Sequence, residues 1–117
     1  MLDCKNVNAV AMLGMGTAAV LKWNMHGSPV HTPERVAELS ARADSIEESI
    51  TLFTIDAMKK SGKPVVCSSD VIGSRLEAES PAARIMSDNG LVMYPSPERC
   101  VRVLAALAAY SKIGFRP

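Results

Sequence analysis

A chain of 117 residues, 48% hydrophobic and 21% charged, has the balance of one folded domain rather than of a disordered segment. Thirteen basic and twelve acidic side chains leave a net charge of +1, and there are only two Phe, two Tyr and one Trp, which argues against a cationic, base-stacking nucleic-acid surface. Cys4, Cys67 and Cys100 form no CxxC pair, so they read as free thiols of a reducing cytoplasm, with no metal site expected.

The longest apolar run, Ala9 to Leu21, falls short of the roughly 20 residues a bilayer span needs, and no positively charged leader precedes it. Its first part, Val7 to Leu13, has the length and valine content of a strand buried on both faces, as in a parallel sheet. Gly14-Met15-Gly16 closes it. Thr32-Pro33 then opens a helix: the hydroxyl caps an orphan amide, and proline has no N–H to leave unsatisfied. Further along, Ile46, Ile50, Phe53 and Ala57 make an apolar stripe at helical spacing, widened by Leu52, Ile55 and Met58. Lys59 and Lys60 suit the negative end of that helix, and Gly62 supplies its left-handed stop.

Lys63 to Ser68 reads as a second strand, with Pro64 tolerated at its start. Ser80-Pro81 repeats the hydroxyl–proline helix start. Asn89-Gly90 leads into a third strand, Leu91 to Tyr94, and Ser96-Pro97-Glu98 opens a last helix. There Val101, Leu104, Ala105 and Ala108 form one stripe, and Cys100, Val103 and Leu107 a second. So wide an apolar surface exceeds what one sheet face requires, so either neighbouring elements cover it or it serves self-association as a homodimer. The order β-α-β-α-β-α, with crossovers long enough for parallel strands, predicts an α/β domain over residues 1–117. The double-sided apolarity of the first strand predicts that it lies in the centre of the sheet.

Three groups could carry chemistry. Gly14, Gly16 and Thr17 follow the first strand, at the end of an open α/β sheet where ligands bind, and small residues there would let amides approach a phosphate. No GxxxxGK[ST] pattern accompanies them, so a tight strand-to-loop turn is the competing account. His26 and His31 flank Gly27 to Val30 without a third ligand for zinc, which reads as a pair of exposed loop histidines. Cys67, before Ser68-Ser69-Asp70, needs a positioned base to act as a nucleophile and otherwise reads as a buried structural thiol.

Two stretches go further. Gly62-Lys63-Pro64-Val65-Val66, and Asn89-Gly90-Leu91-Val92-Met93-Tyr94 followed by SPERCVRVLAALAAY (Ser96 to Tyr110), resemble the closing part of ADP-forming acyl-CoA synthetases, relatives of succinyl-CoA synthetase. There a GKPV strand, a helix, a short strand ending in Tyr and an SPERAVRALAALxxY-type helix follow one another. Lys5-Asn6-Val7-Asn8-Ala9-Val10 is similar to that family's PNVDAV lead into a strand, with Asn8 where the family has an acid. The resemblance implies a flavodoxin-like three-layer α/β/α domain of succinyl-CoA-ligase type, lacking the strand and helix that precede PNVDAV in the family. It implies a cytoplasmic parent enzyme that turns acyl-CoA, ADP and phosphate into acid, CoA and ATP through a phosphohistidine in an SHTGA-like loop. Neither Asn24-Met25-His26-Gly27-Ser28 nor Pro29-Val30-His31-Thr32 matches that loop, and Trp23 to Val30 departs from the family's pattern. The expected role is therefore a non-catalytic structural and subunit-contact domain, whose partners are the remaining domains or subunit of the synthetase and which itself holds no cofactor. The alternatives are a stand-alone flavodoxin-like module that binds a small ligand or regulates, and a small enzyme using Cys67 or His26.

Overall fold

The computed structural model describes residues 1–113. It is a mixed α/β fold: β1 (Val10–Met12), α1 (Thr17–Met25), α2 (Pro33–Ser61), β2 (Val65–Ser68), α3 (Pro81–Asp88), β3 (Met93–Tyr94) and α4 (Pro97–Lys112), with a 3-10 turn at Glu77–Glu79. The strands form one parallel sheet, Val10 opposite Val65 and Met12 opposite Cys67 on one side of β2, Cys67 opposite Met93 on the other.

The order is β1-β2-β3, so β2 and not β1 is central. The reason lies in the side chains that fit between layers. Val66, Cys67, Ser68 and the following Ser69 are all buried, small enough for helices to approach from both faces. In β1, by contrast, Ala11 and Leu13 are exposed: its apolar residues mark an edge, not a double-sided burial. Both flanking strands are also shorter than their apolar runs.

Alternation along the strands separates the faces. Met12, Cys67 and Met93 point towards α2 and α3, where Ile55, Ala82 and Met86 complete the buried core. Ser68 points to the opposite side and meets Cys100 of α4 by a hydrogen bond. Cys100 is fully buried and is the only buried residue of α4. From Ala105 to Lys112 every residue of α4 is exposed, so the second half of the helix stands clear of the sheet.

The helix starts follow the chemistry read from the sequence. Thr32 Oγ1 accepts from the Arg35 amide at 3.2 Å, Ser80 Oγ from Ala83 at 3.2 Å and Ser96 Oγ from Arg99 at 3.3 Å, each ahead of a proline. Gly62 ends α2 with φ of 67°. The helix opened by Thr32 and the stripe from Ile46 onward are one helix of 29 residues. Its orientation is the surprise. The side chains turned inward are Glu47, Thr51, Thr54 and Ile55, while Ile46, Ile50 and Phe53 are 61%, 48% and 74% exposed. Burying threonines costs little here because Thr51 Oγ1 donates to the Glu47 carbonyl (2.7 Å) and Thr54 Oγ1 to that of Ile50 (2.8 Å).

Candidate functional site

The carboxyl ends of the three strands converge on a buried polar cluster. After β1 the chain turns at Gly16, whose φ of +84° is left-handed. A Cβ at that position would lie 2.5 Å from Ser69 Oγ and 3.0 Å from Val71 Cγ2, so only glycine passes between β1 and the loop after β2. The loops are tied by the Met15 amide donating to the Ser68 carbonyl and the Ser69 amide to that of Tyr94, both at 2.9 Å.

Helix α1 begins directly after Gly16 without a side-chain cap of its own. Its cap comes from 29 residues downstream: Glu47 Oε1 accepts from the Ala18 amide at 3.0 Å. The other oxygen, Oε2, accepts from the Ala82 amide of α3 at 3.1 Å and from Ser80 Oγ at 3.4 Å. One carboxylate, 7% exposed, therefore serves the positive ends of two helices at once. Around this clasp, Lys22 pairs with Asp44 at 2.9 Å and donates to the Glu79 carbonyl at 3.1 Å, and the Arg75 guanidinium stacks 4.0 Å over Trp23. These contacts fasten α1 to α2 and to the loop before α3.

Of the residues singled out in the sequence, Gly14, Gly16 and Thr17 do lie at the carboxyl end of β1, where α1 begins. The Ala18 and Ala82 amides beside them, which an incoming phosphate would use, are engaged by Glu47. His26 and His31 are both exposed and border one shallow hollow with Met25, Pro33 and Val36, between the end of α1 and the start of α2. The hollow shares no residue with the Glu47 cluster. Among the described residues no group of three or more His, Cys, Asp or Glu is arranged to hold a metal ion.

Cys67 is 1% exposed, and burial, aided by neighbouring Cys100, pushes its thiol up to about 11. It stays protonated at neutral pH and is a poor nucleophile there. Burial also raises Cys100, against the opposing hydrogen bond with Ser68. What sequence reasoning missed is α1 and its clasp. The run Thr17–Met25 carries no hydroxyl cap or acidic first turn, and Glu47 sits in the middle of a charged helix where nothing marks it as the inward-facing acid.

A second feature is apolar. Along the open side of β1 a groove runs from Leu13, Leu21 and Ile46 to Met12, Ile50 and Phe53, and on to Val10 and Leu2. Lys63 Nζ donates to the carbonyls of Leu2 and Cys4 and so holds the N-terminal turn against the start of β2 at one end of this groove. No described helix is long and apolar enough to cross a membrane.

No family model matches the sequence. No curated protein matches it significantly. No solved structure matches it significantly either.

Proposed function

We propose that this chain is a non-catalytic structural and subunit-contact domain of a cytoplasmic ADP-forming acyl-CoA synthetase, with a flavodoxin-like three-layer arrangement of succinyl-CoA-ligase type. The observation that carries the reading is α4. The SPERCVRVLAALAAY stretch on which the resemblance rests forms this helix, opened by its Ser96 cap, yet only Cys100 is buried. Its second half leaves the body with Leu107 and Tyr110 exposed. Val101 on the same helix is exposed as well, and apolar side chains gathered on one helix in this way mark a surface for another protein. The remaining domains or subunit of the synthetase are that partner. They supply the phosphohistidine and hold CoA, ADP or ATP, and phosphate.

The interior agrees with a role without chemistry of its own. The strand ends are closed by Gly16, Ser69, Ser80 and Glu47, and the two buried thiols near them, Cys67 and Cys100, are both pushed towards the protonated form by burial. The test is the reading frame and its neighbours. A CoA-binding Rossmann segment with an SHTGA-like histidine, fused to or encoded beside this segment, should co-elute with it, and Leu107→Asp should weaken that association at least tenfold. A synthetase subunit that fails to associate with the wild-type chain overturns the proposal.

A further inference from the structure

The apolar groove beside β1 lies on a different surface from α4 and calls for an occupant of its own. The Val10 amide donates to the Pro64 carbonyl, 3.1 Å, so Val10 and Met12 direct their backbone groups to β2. Alternation in a parallel ladder then turns the N–H and C=O of Ala11 outward, away from the sheet. An unprotected strand edge is a template for another strand. This one is short, three residues, but carries no proline or charge to blunt it, and on the α2 side it is flanked by exposed Ile50 and Phe53.

The surface area says how large the missing cover is. The chain exposes 8000 Å², whereas a compact monomer of 12.5 kDa exposes about 6,200 Å². The radius of gyration is 16.6 Å against about 13.4 Å for a compact domain of this length. The excess of about 1,800 Å² is roughly twice what each partner gives up in a standard interface of about 800 Å² per side. In a molecule of 58 × 25 × 24 Å, that excess is large enough for the β1 edge and α4 each to give up an interface of this size.

We propose that two copies of this chain pair antiparallel through their β1 edges about a two-fold axis at Ala11. An antiparallel edge is complementary to itself: the axis brings each Ala11 N–H to the partner's Ala11 C=O, and the methyl side chain lets the two backbones close. The result is a continuous six-stranded sheet. The same axis lays the two α2 helices side by side, so the stripe Ile46, Ile50, Phe53 and Ala57 meets its own copy and the residues left bare in the protomer are covered. This pairing stands independently of the synthetase reading, because it uses neither α4 nor the SPERC segment.

The test is the oligomeric state of the purified chain at micromolar concentration. Sedimentation should give twice the 12.5 kDa of the protomer. Phe53→Glu, at a side chain 74% exposed in the protomer, should shift the chain to monomer with an unchanged far-ultraviolet spectrum. Ala11→Pro should do the same, since it removes only the outward N–H. Ala11→Cys with Cys4→Ser should form an intermolecular disulfide on mild oxidation, because paired Cα atoms about 5.5 Å apart lie within disulfide reach. Leu107→Asp should leave the dimer intact, which separates this surface from the one assigned to α4. A wild-type monomer overturns the pairing and assigns the groove to another occupant. A dimer that survives both Phe53→Glu and Ala11→Pro, or gives no Ala11→Cys crosslink, overturns it as well.

Discussion

Replacing Glu47 by Gln removes one charge and exchanges one carboxylate oxygen for an amide NH2 while keeping the shape. Whichever way the new side chain turns, one of the two helix amides, Ala18 or Ala82, faces a donor instead of an acceptor. A buried N–H left without a partner costs about 1–3 kcal/mol. Loss of the negative charge at two partly buried helix N-termini adds about 0.5–2 kcal/mol. The expected destabilisation is therefore about 1.5–5 kcal/mol, a large part of the roughly 6–18 kcal/mol a domain of this length possesses. In urea, with a slope of about 1–3 kcal/mol per molar, the midpoint should fall by at least roughly 0.5 M. Glu48→Gln is the control. Glu48 is one residue along the same helix, in an exposed pair with Arg84 at 3.1 Å, and such pairs are worth about 0–1 kcal/mol. If Glu47→Gln proves no worse than Glu48→Gln, the carboxylate is not the clasp between α1, α2 and α3, and the account of the site fails.

Gly16→Ala should cost about 2–4 kcal/mol by thermal denaturation, from left-handed strain of about 1–2 kcal/mol and the clash with Ser69 Oγ, and Ser69→Gly in the same chain should restore part of it. Cys4, which is exposed, should react with a thiol reagent at pH 8 while Cys67 and Cys100 are protected until the chain unfolds. The folded Cys67 thiol lies above its usual value of 9.0, at about 11, so the stability this contributes is fully present below pH 9 and is lost as pH rises through 11, a decline of about 2–3 kcal/mol that denaturation midpoints across that range would reveal. Incubation of the isolated chain with labelled ATP should leave no acid-labile phosphate on His26 or His31; label on either would overturn the non-catalytic reading.

The parts of the fold that were legible in the sequence are those whose causes are local. Each hydroxyl–proline pair at Thr32, Ser80 and Ser96 became a capped helix start, because the capping bond reaches only three residues along the chain. Gly62 stopped α2 for the same kind of reason: a left-handed residue needs no distant partner. Helix α1 escaped because its start is capped from another helix, and a contact across 29 residues leaves no mark in the nine that form it. The inward face of α2 was not legible for a different reason. Hydrophobicity picks the Ile46, Ile50 and Phe53 face as the inner one, but hydroxyls satisfied by their own helix and a carboxylate satisfied by two helix ends make the Glu47, Thr51 and Thr54 face the cheaper one to bury. The same inversion moved the centre of the sheet from β1 to β2. Its Cys67-Ser68-Ser69 sequence looks too polar for a core until Cys100, Val71 and the Tyr94 carbonyl are seen around it.

That inversion bears on what the molecule is for. In an open α/β sheet, binding capacity sits at the carboxyl ends of the strands, and loops there are left loose and polar for a ligand to order. Here those ends are filled from within: Glu47 accepts from the Ala18 and Ala82 amides, Ser80 Oγ from Ala83, Ser69 Oγ from Val71, and Gly16 passes close against Ser69. The side chains without a role in the protomer are apolar and lie elsewhere: Ile46, Ile50 and Phe53 along the β1 edge, Val101 and Leu107 on α4. Burying each of these would yield about 1.5–3 kcal/mol, whereas leaving them in water yields nothing. These two apolar faces, on α4 and along β1, are the observations on which the proposed subunit contact and the proposed β1 pairing respectively rest.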